Sequence, residues 1–260
     1  MMERGELRST FYEIDRKMDL LRNRMGGGSV LDAQPDFGER IETSWLYHEN
    51  AMEGIVLSHD EIKAALDNQP VSDISLAPVF EEVRRHKISI EFLRKATQKR
   101  KTSINLDLVR KLHCMFYEED DTKQAGKYRR DMPIHRLYFH EIAAPDKISV
   151  KMRQLFEWVE TQEARRMHPV KLGATLHYQM MRIYPFSQHS GKVSRLLMNY
   201  VLLQSDYLPA IIHAVERQRY YESLRLPAAT SVSLVIESLE NALNSAVKLF
   251  APGASARAAG

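Results

Sequence analysis

From Tyr184 to Arg195 the chain reads Tyr184-Pro185-Phe186-Ser187-Gln188-His189-Ser190-Gly191-Lys192-Val193-Ser194-Arg195, which sets a phenol, an imidazole, hydroxyls and two cations close together. Ser190, Gly191 and Lys192 are two small residues followed by a cation. At the start of a helix such residues meet unpaired backbone N–H groups and the positive end of the helix dipole, so they form a ready site for an anion, a phosphate above all. Arg195 adds a second positive charge. His189 and Tyr184 are the titratable groups at hand to move a proton. The plain alternative is that Ser190 and Gly191 only cap the helix while Lys192 is solvated, and for an isolated Ser-Gly-Lys it is the stronger reading.

Two helices must position these residues. Upstream, Leu172, Leu176, Met180 and Ile183 recur at helical spacing, and Pro185 disfavours helical geometry in the residue before it, so the first helix stops near Tyr184. Downstream, Val193, Leu196, Leu197, Tyr200 and Val201 form a second apolar stripe that starts a helix close to Gly191 and leaves Lys192 and Arg195 on its polar face. A P-loop ends in the same Gly-Lys pair. Here, however, Phe186 stands in place of its first glycine, Val193 in place of its Ser/Thr, and a helix rather than a strand comes first. His177 shares the first helix with Tyr184 but lies about 10 Å away along the axis, which makes it a core histidine.

The stretch resembles the signature of Fic (Fido) domains, H-P-F-x-[DE]-G-N-G-[RK]-x-x-R. Pro185, Phe186, Gly191, Lys192 and Arg195 agree with it. Tyr184 replaces the general base, Gln188 the metal-holding acid, His189 a glycine and Ser190 the anion-binding Asn. The resemblance covers roughly Thr43 to Leu226 and includes the upstream Gly126-x-Tyr128-Arg129. It implies an all-α, Fic-like helical bundle with one small β-hairpin, the flap, and transfer of AMP from ATP to a protein hydroxyl. ATP or another nucleotide with Mg²⁺ is the implied ligand set. Ser190, Gly191, Lys192 and Arg195 fall at its nucleotide positions, Gln188 at the metal position and Tyr184 at the base.

Those replacements divide the expected function into two classes. A histidine with a pKa of about 6.5 takes a hydroxyl proton at neutral pH, whereas a tyrosine near about 10 needs roughly 5 kcal/mol of environmental tuning to act as a phenolate. Gln188 is neutral and holds Mg²⁺ less firmly than a carboxylate. An enzyme with impaired or altered catalysis is one expectation, with His189 as a base from another direction or Tyr184 as the acceptor of the transferred group. A catalytically silent interaction or regulatory module on the same scaffold is the other.

Thr43 to Glu61 is the second informative stretch. Ser58 with Glu61 is a capping box that starts a helix at about His59, and Met52-Glu53-Gly54 reads as the end of the preceding one. The resemblance adds an inhibitory motif, [ST]-x-x-x-E-[GN], whose Glu pairs with the last Arg of the signature. Glu53-Gly54 matches its end, while Glu49 stands where Ser or Thr belongs. Glu53 is therefore the candidate regulatory residue, set against an exposed Glu or a capping contact.

The remaining chain is scaffold. Its 260 residues, 44% hydrophobic and 27% charged, suit one globular domain over 38–250, preceded by an amphipathic helix and Gly-rich linker over 1–37 and followed by a disordered tail over 251–260. Leu7, Phe11, Ile14, Met18 and Leu21 form one stripe that can dock on the main domain or on a second copy of the chain, which makes a homodimer one expectation. A net charge of +3 is too mild for nucleic acid, and the basic run from Arg94 to Lys101 reads as a solvated face. The lone Cys114 reads as packing in a helix, with His86 and His113 satisfied by neighbours. No apolar run approaches a membrane span, so a cytoplasmic protein, or a delivered bacterial effector, is expected. Met132 to Ile142 mixes strand formers in a hairpin pattern, where a protein target would dock as an added strand. His135 and His140 there read as exposed edge residues.

Overall fold

The computed structural model describes residues 4–26, 29–69, 74–98, 103–117, 124–133 and 140–251. Among them the chain forms the helices α1 (Arg4–Arg24), α2 (Val30–Ala33), α3 (Pro35–Met52), α4 (His59–Leu66), α5 (Ala77–Gln98) and α6 (Leu106–Cys114). These are followed by α7 (Ile148–Val159), α8 (Gln162–Arg165), α9 (Pro169–Ile183), α10 (Ser190–Gln204), α11 (Arg217–Ser223) and α12 (Ala228–Leu249). No strand occurs among the described residues, and the middle of the expected hairpin, 134–139, lies outside them. None of the described helices is long and apolar enough to cross a membrane.

The antiparallel pair α9 and α10 is the axis of the molecule. Leu176, Met180, Ile183, Val193, Leu196 and Leu197 join α5, α6 and α7 in one core. Val170, Ala174, Met198 and Leu202 face α1 and α12 in a second. Tyr178 and Met181 meet α11, the end of α3 and α12 in a third. Residues Ser190 to Leu202 are all buried, so α10 is sheathed on every side and its polar face is turned inward.

Local signals account for the helix ends that matter. Ser58 accepts from the Glu61 N–H while Glu61 accepts from the Ser58 N–H at 2.6 Å, which starts α4 at His59. Asn105 caps α6 by accepting from the Leu108 N–H at 2.9 Å. His168 and Pro169 open α9. The first helix docks within its own chain: Ile14, Met18 and Leu21 are fully buried against α9, α10 and α12. Asp15 accepts from the Tyr207 hydroxyl and lies 3.1 Å from His168 Nε2, which pins that docking.

Several scaffold expectations are corrected. Cys114 is exposed rather than packed. His86 is buried against Phe116 with no hydrogen-bond partner for either ring nitrogen among the described residues. His140 is buried, its Nε2 bonded to the Met181 carbonyl at 2.9 Å, so it is no exposed edge residue, and His135 lies outside the described residues. Arg94 is tied to Glu42 and Asp32 rather than solvated, because α5 passes α2 and α3.

Candidate functional site

The loop between α9 and α10 is bracketed by two residues in the left-handed region, Tyr184 with φ 50° and His189 with φ 59°. Neither is glycine, so each is strained and must be held from outside. Arg129 supplies much of the hold. Its Nε donates to the Tyr184 carbonyl at 2.8 Å, its guanidinium also reaches the Ala143 and Asp131 carbonyls, and its backbone N–H donates to the Pro185 carbonyl at 2.9 Å. Ser190 supplies the rest: its hydroxyl accepts from the Phe186 N–H and donates to the Phe186 carbonyl, both at 2.8 Å. Phe186 is buried and stacked on His113, with ring centroids 3.7 Å apart. The Gly126 N–H in turn donates to His113 Nδ1 at 2.9 Å, joining the Gly126-x-Tyr128-Arg129 segment to the loop.

On α10, Lys192 and Arg195 are each only 1% exposed. The Lys192 ammonium donates to Glu82 on α5 at 2.8 Å and to the Asn50 side chain on α3 at 3.2 Å. Arg195 spends its donors on three partners. Its Nε faces both Glu49 oxygens at 2.9 and 2.8 Å, its Nη2 meets Glu53 at 2.8 Å, and its Nη1 donates to the Tyr220 hydroxyl at 3.2 Å. Tyr220 also lies 2.9 Å from His177 Nε2, and because burial holds His177 near about 3, its imidazole is neutral and the hydroxyl donates to it. Burial pushes the Tyr220 phenol up to about 12, against the pull of Arg195.

The helix start is covered as well. A Cβ on Gly191 would lie 3.0 Å from the Glu53 carboxylate and 3.1 Å from Arg195 Nη1, so the glycine leaves room for these groups close to the backbone there. His189 stacks on Phe116 at 4.8 Å and places Nδ1 3.4 Å from Glu82. Burial raises the Glu82 carboxyl, but His189 and Lys192 outweigh it and hold the group down to about 2. Burial likewise pushes Glu49 above its ordinary value, opposed by Arg195. Gln188 is exposed, and no cluster of three or more metal-binding side chains occurs among the described residues.

A Fic/DOC family model matches residues 103–202, the span that includes Arg129, the loop and most of α10. The chain carries a Fic/DOC domain. The protein adenylyltransferase Fic of Aedes aegypti is 26% identical over 221 residues, covering 83% of this chain and 42% of its own length. The chain thus spans less than half of that relative. A Fic domain containing signaling protein from Bacteroides thetaiotaomicron superposes with a TM-score of 0.75 at 21% identity, over 90% of this chain and 96% of the other. Fic-1 from C. elegans gives 0.76 at 20% identity, over 92% of this chain and 71% of the other. These likenesses establish the Fic fold.

Set on that fold, the sequence-predicted residues separate into two groups. Lys192, Arg195, Gly191 and Glu53 converge at the start of α10, with Glu53 on Arg195. Tyr184 and Ser190 frame the loop, and Gln188 points to solvent. Lys192 and Arg195 do meet polar groups, but on a face that is buried rather than open to water, their charges matched inside the protein by residues of α3 and α5 and by Glu53. Sequence reasoning missed Glu49, Glu82, Asn50 and Tyr220 as partners. Glu49 and Glu53, two carboxylates one turn apart with no cation beside them on α3, were the available signal that a buried cation had to come from elsewhere.

Proposed function

We propose that this chain is a Fic-fold protein with impaired or altered nucleotidyl transfer, its phosphate site held shut by Glu53. The observation that carries this reading is the Glu53 carboxylate lying over Gly191 and against Arg195, where the helix start would otherwise receive an anion. With the carboxylates withdrawn from Arg195, the N–H groups at Ser190 and Gly191 face the phosphates of ATP or another nucleotide, with Lys192 and Arg195 beside them. The substrate supplies the group to be transferred to a hydroxyl of a protein target docked at Met132 to Ile142. Tyr184 stands at the base position and is a poor proton acceptor at neutral pH, so His189, with Nδ1 turned to Glu82, is the first alternative base. Gln188 is neutral and exposed and fits a metal poorly. The working unit is 38–250, with α1 docked on it, and a cytoplasmic setting accords with the single Cys114.

A silent module is the second reading. It is favoured by the charge count at the site, where Glu49, Glu53 and Glu82 outnumber Lys192 and Arg195. Cavities of about 490 Å³ between α7 and α9 and about 570 Å³ beside α3, α4 and α5 are lined by none of these residues. Intact-mass analysis after incubation with each nucleoside triphosphate and Mg²⁺ or Mn²⁺ separates the two readings. A mass gain on the chain supports transfer; nucleotide binding by calorimetry without a mass gain supports the module. A variant with Tyr184→His, Gln188→Asp, His189→Gly and Ser190→Asn restores base, metal ligand and anion loop together, and with the carboxylate block relieved it should modify itself or a generic acceptor when the parent does not.

A further inference from the structure

We infer that Glu49 is a second gate on Arg195, so that withdrawing Glu53 alone does not open the site. The inference rests on the reading of Arg195 as a phosphate-facing cation. Glu53 engages only Nη2, whereas Glu49 takes Nε with both of its oxygens, and Tyr220 takes Nη1. Glu49 is also the more deeply set of the two: its side chain is 6% exposed against 34% for Glu53. A guanidinium that loses Glu53 is therefore still neutralised and still held on the α3 side.

The two carboxylates are four residues apart on one face of α3, so they leave Arg195 together when the last turn of that helix moves. Its end is clasped by α11. Arg217 Nε donates to the Met52 carbonyl at 2.9 Å and the Tyr221 hydroxyl to the same carbonyl at 3.3 Å, immediately before Glu53 and Gly54, where Gly54 turns the chain with φ 92°. Carbonyls at a helix end lack intrahelical partners, so these two donors fix where the turn stops. Glu49 and Glu53 thus form one gate whose hinge is Gly54 and whose clasp is Arg217 with Tyr221.

The test uses the full chain as parent, Glu53→Gly, Glu49→Ser, the double variant and Arg217→Ala. Phenylglyoxal labelling of Arg195, followed by peptide mass spectrometry, reads the gate without any nucleotide. Parent and Glu53→Gly should both protect Arg195, the double variant should label at least about tenfold faster, and Arg217→Ala should fall between them with both carboxylates intact. Calorimetry with ATP and Mg²⁺ should show the same order in affinity. If Glu53→Gly labels as fast as the double variant, Glu49 is no gate. If the double variant, shown folded by circular dichroism, protects Arg195 as the parent does, the inference fails too. Labelling in the expected order with no nucleotide binding would leave the gate standing and overturn the nucleotide reading instead.

Discussion

Replacing Arg195 by alanine tests whether α10 holds its cation for structure as well as for ligand. The substitution removes the bifurcated contact to Glu49, the contact to Glu53 and the donor to Tyr220. These losses are unequal. Glu53 is a third exposed and can turn to water, so its share is at most about 1 kcal/mol. Glu49 has no route to solvent, and leaving one partner of a buried pair uncompensated costs about 3 to 5 kcal/mol. For a chain of this size that lowers the melting temperature by roughly 10 °C. Urea unfolding followed by circular dichroism reads the difference directly. Glu53→Gln should stay within about 1 kcal/mol of the parent. The pair Arg195→Met with Glu49→Leu should recover most of the loss, because a hydrophobic replacement of both partners leaves no stranded charge. If Arg195→Ala unfolds within about 1 kcal/mol of the parent, the buried pair is not what holds α3 to α10.

Acid should loosen the fold in a defined window. His48, His113 and His177 are held by burial at about 4, about 4 and about 3, with His213 adding to the effect at His48, so the folded chain refuses protons that the unfolded chain accepts below 6.5. Stability therefore falls as pH drops from 6.5 towards 4, and a urea midpoint that stays flat across that interval would contradict the assignment. The depressed Glu82 contributes stability above 4.5 that is lost as pH falls towards about 2, and Glu82→Gln should remove that lower limb. Ser58→Ala should cost about 1 kcal/mol in the same assay by opening the capping box that starts α4. Wild-type stability in that variant would mean Glu61 alone holds the helix start.

The frame of the site was legible in the sequence because it is local. Apolar period and Pro185 located the end of α9 and the start of α10, and Ser58 with Glu61 located α4 to the residue. The burial of Lys192 and Arg195 was not legible, because an amphipathic pattern assigns cations outward, whereas the carboxylates that match them lie 110 to 146 positions away in sequence. Glu49 shows the same limit. In the sequence it is a mismatch at a Ser/Thr position, and only the packing of α3 on α10 turns it into the main anchor of a guanidinium.

Arg129 has a consequence for how the chain can vary. Its side chain bonds the Asp131 carbonyl, where the chain departs towards the stretch proposed to dock a target, and the Ala143 carbonyl, where it returns. That stretch is thus closed at its base by a noncovalent cross-link, and the same guanidinium fixes the Tyr184 carbonyl. The closure entropy of a loop grows only with the logarithm of its length, about 0.6 kcal/mol for each doubling. Residues 132–142 can lengthen, shorten or change composition to suit a different target surface while the closure point, and the backbone position of Tyr184 with it, stays where it is.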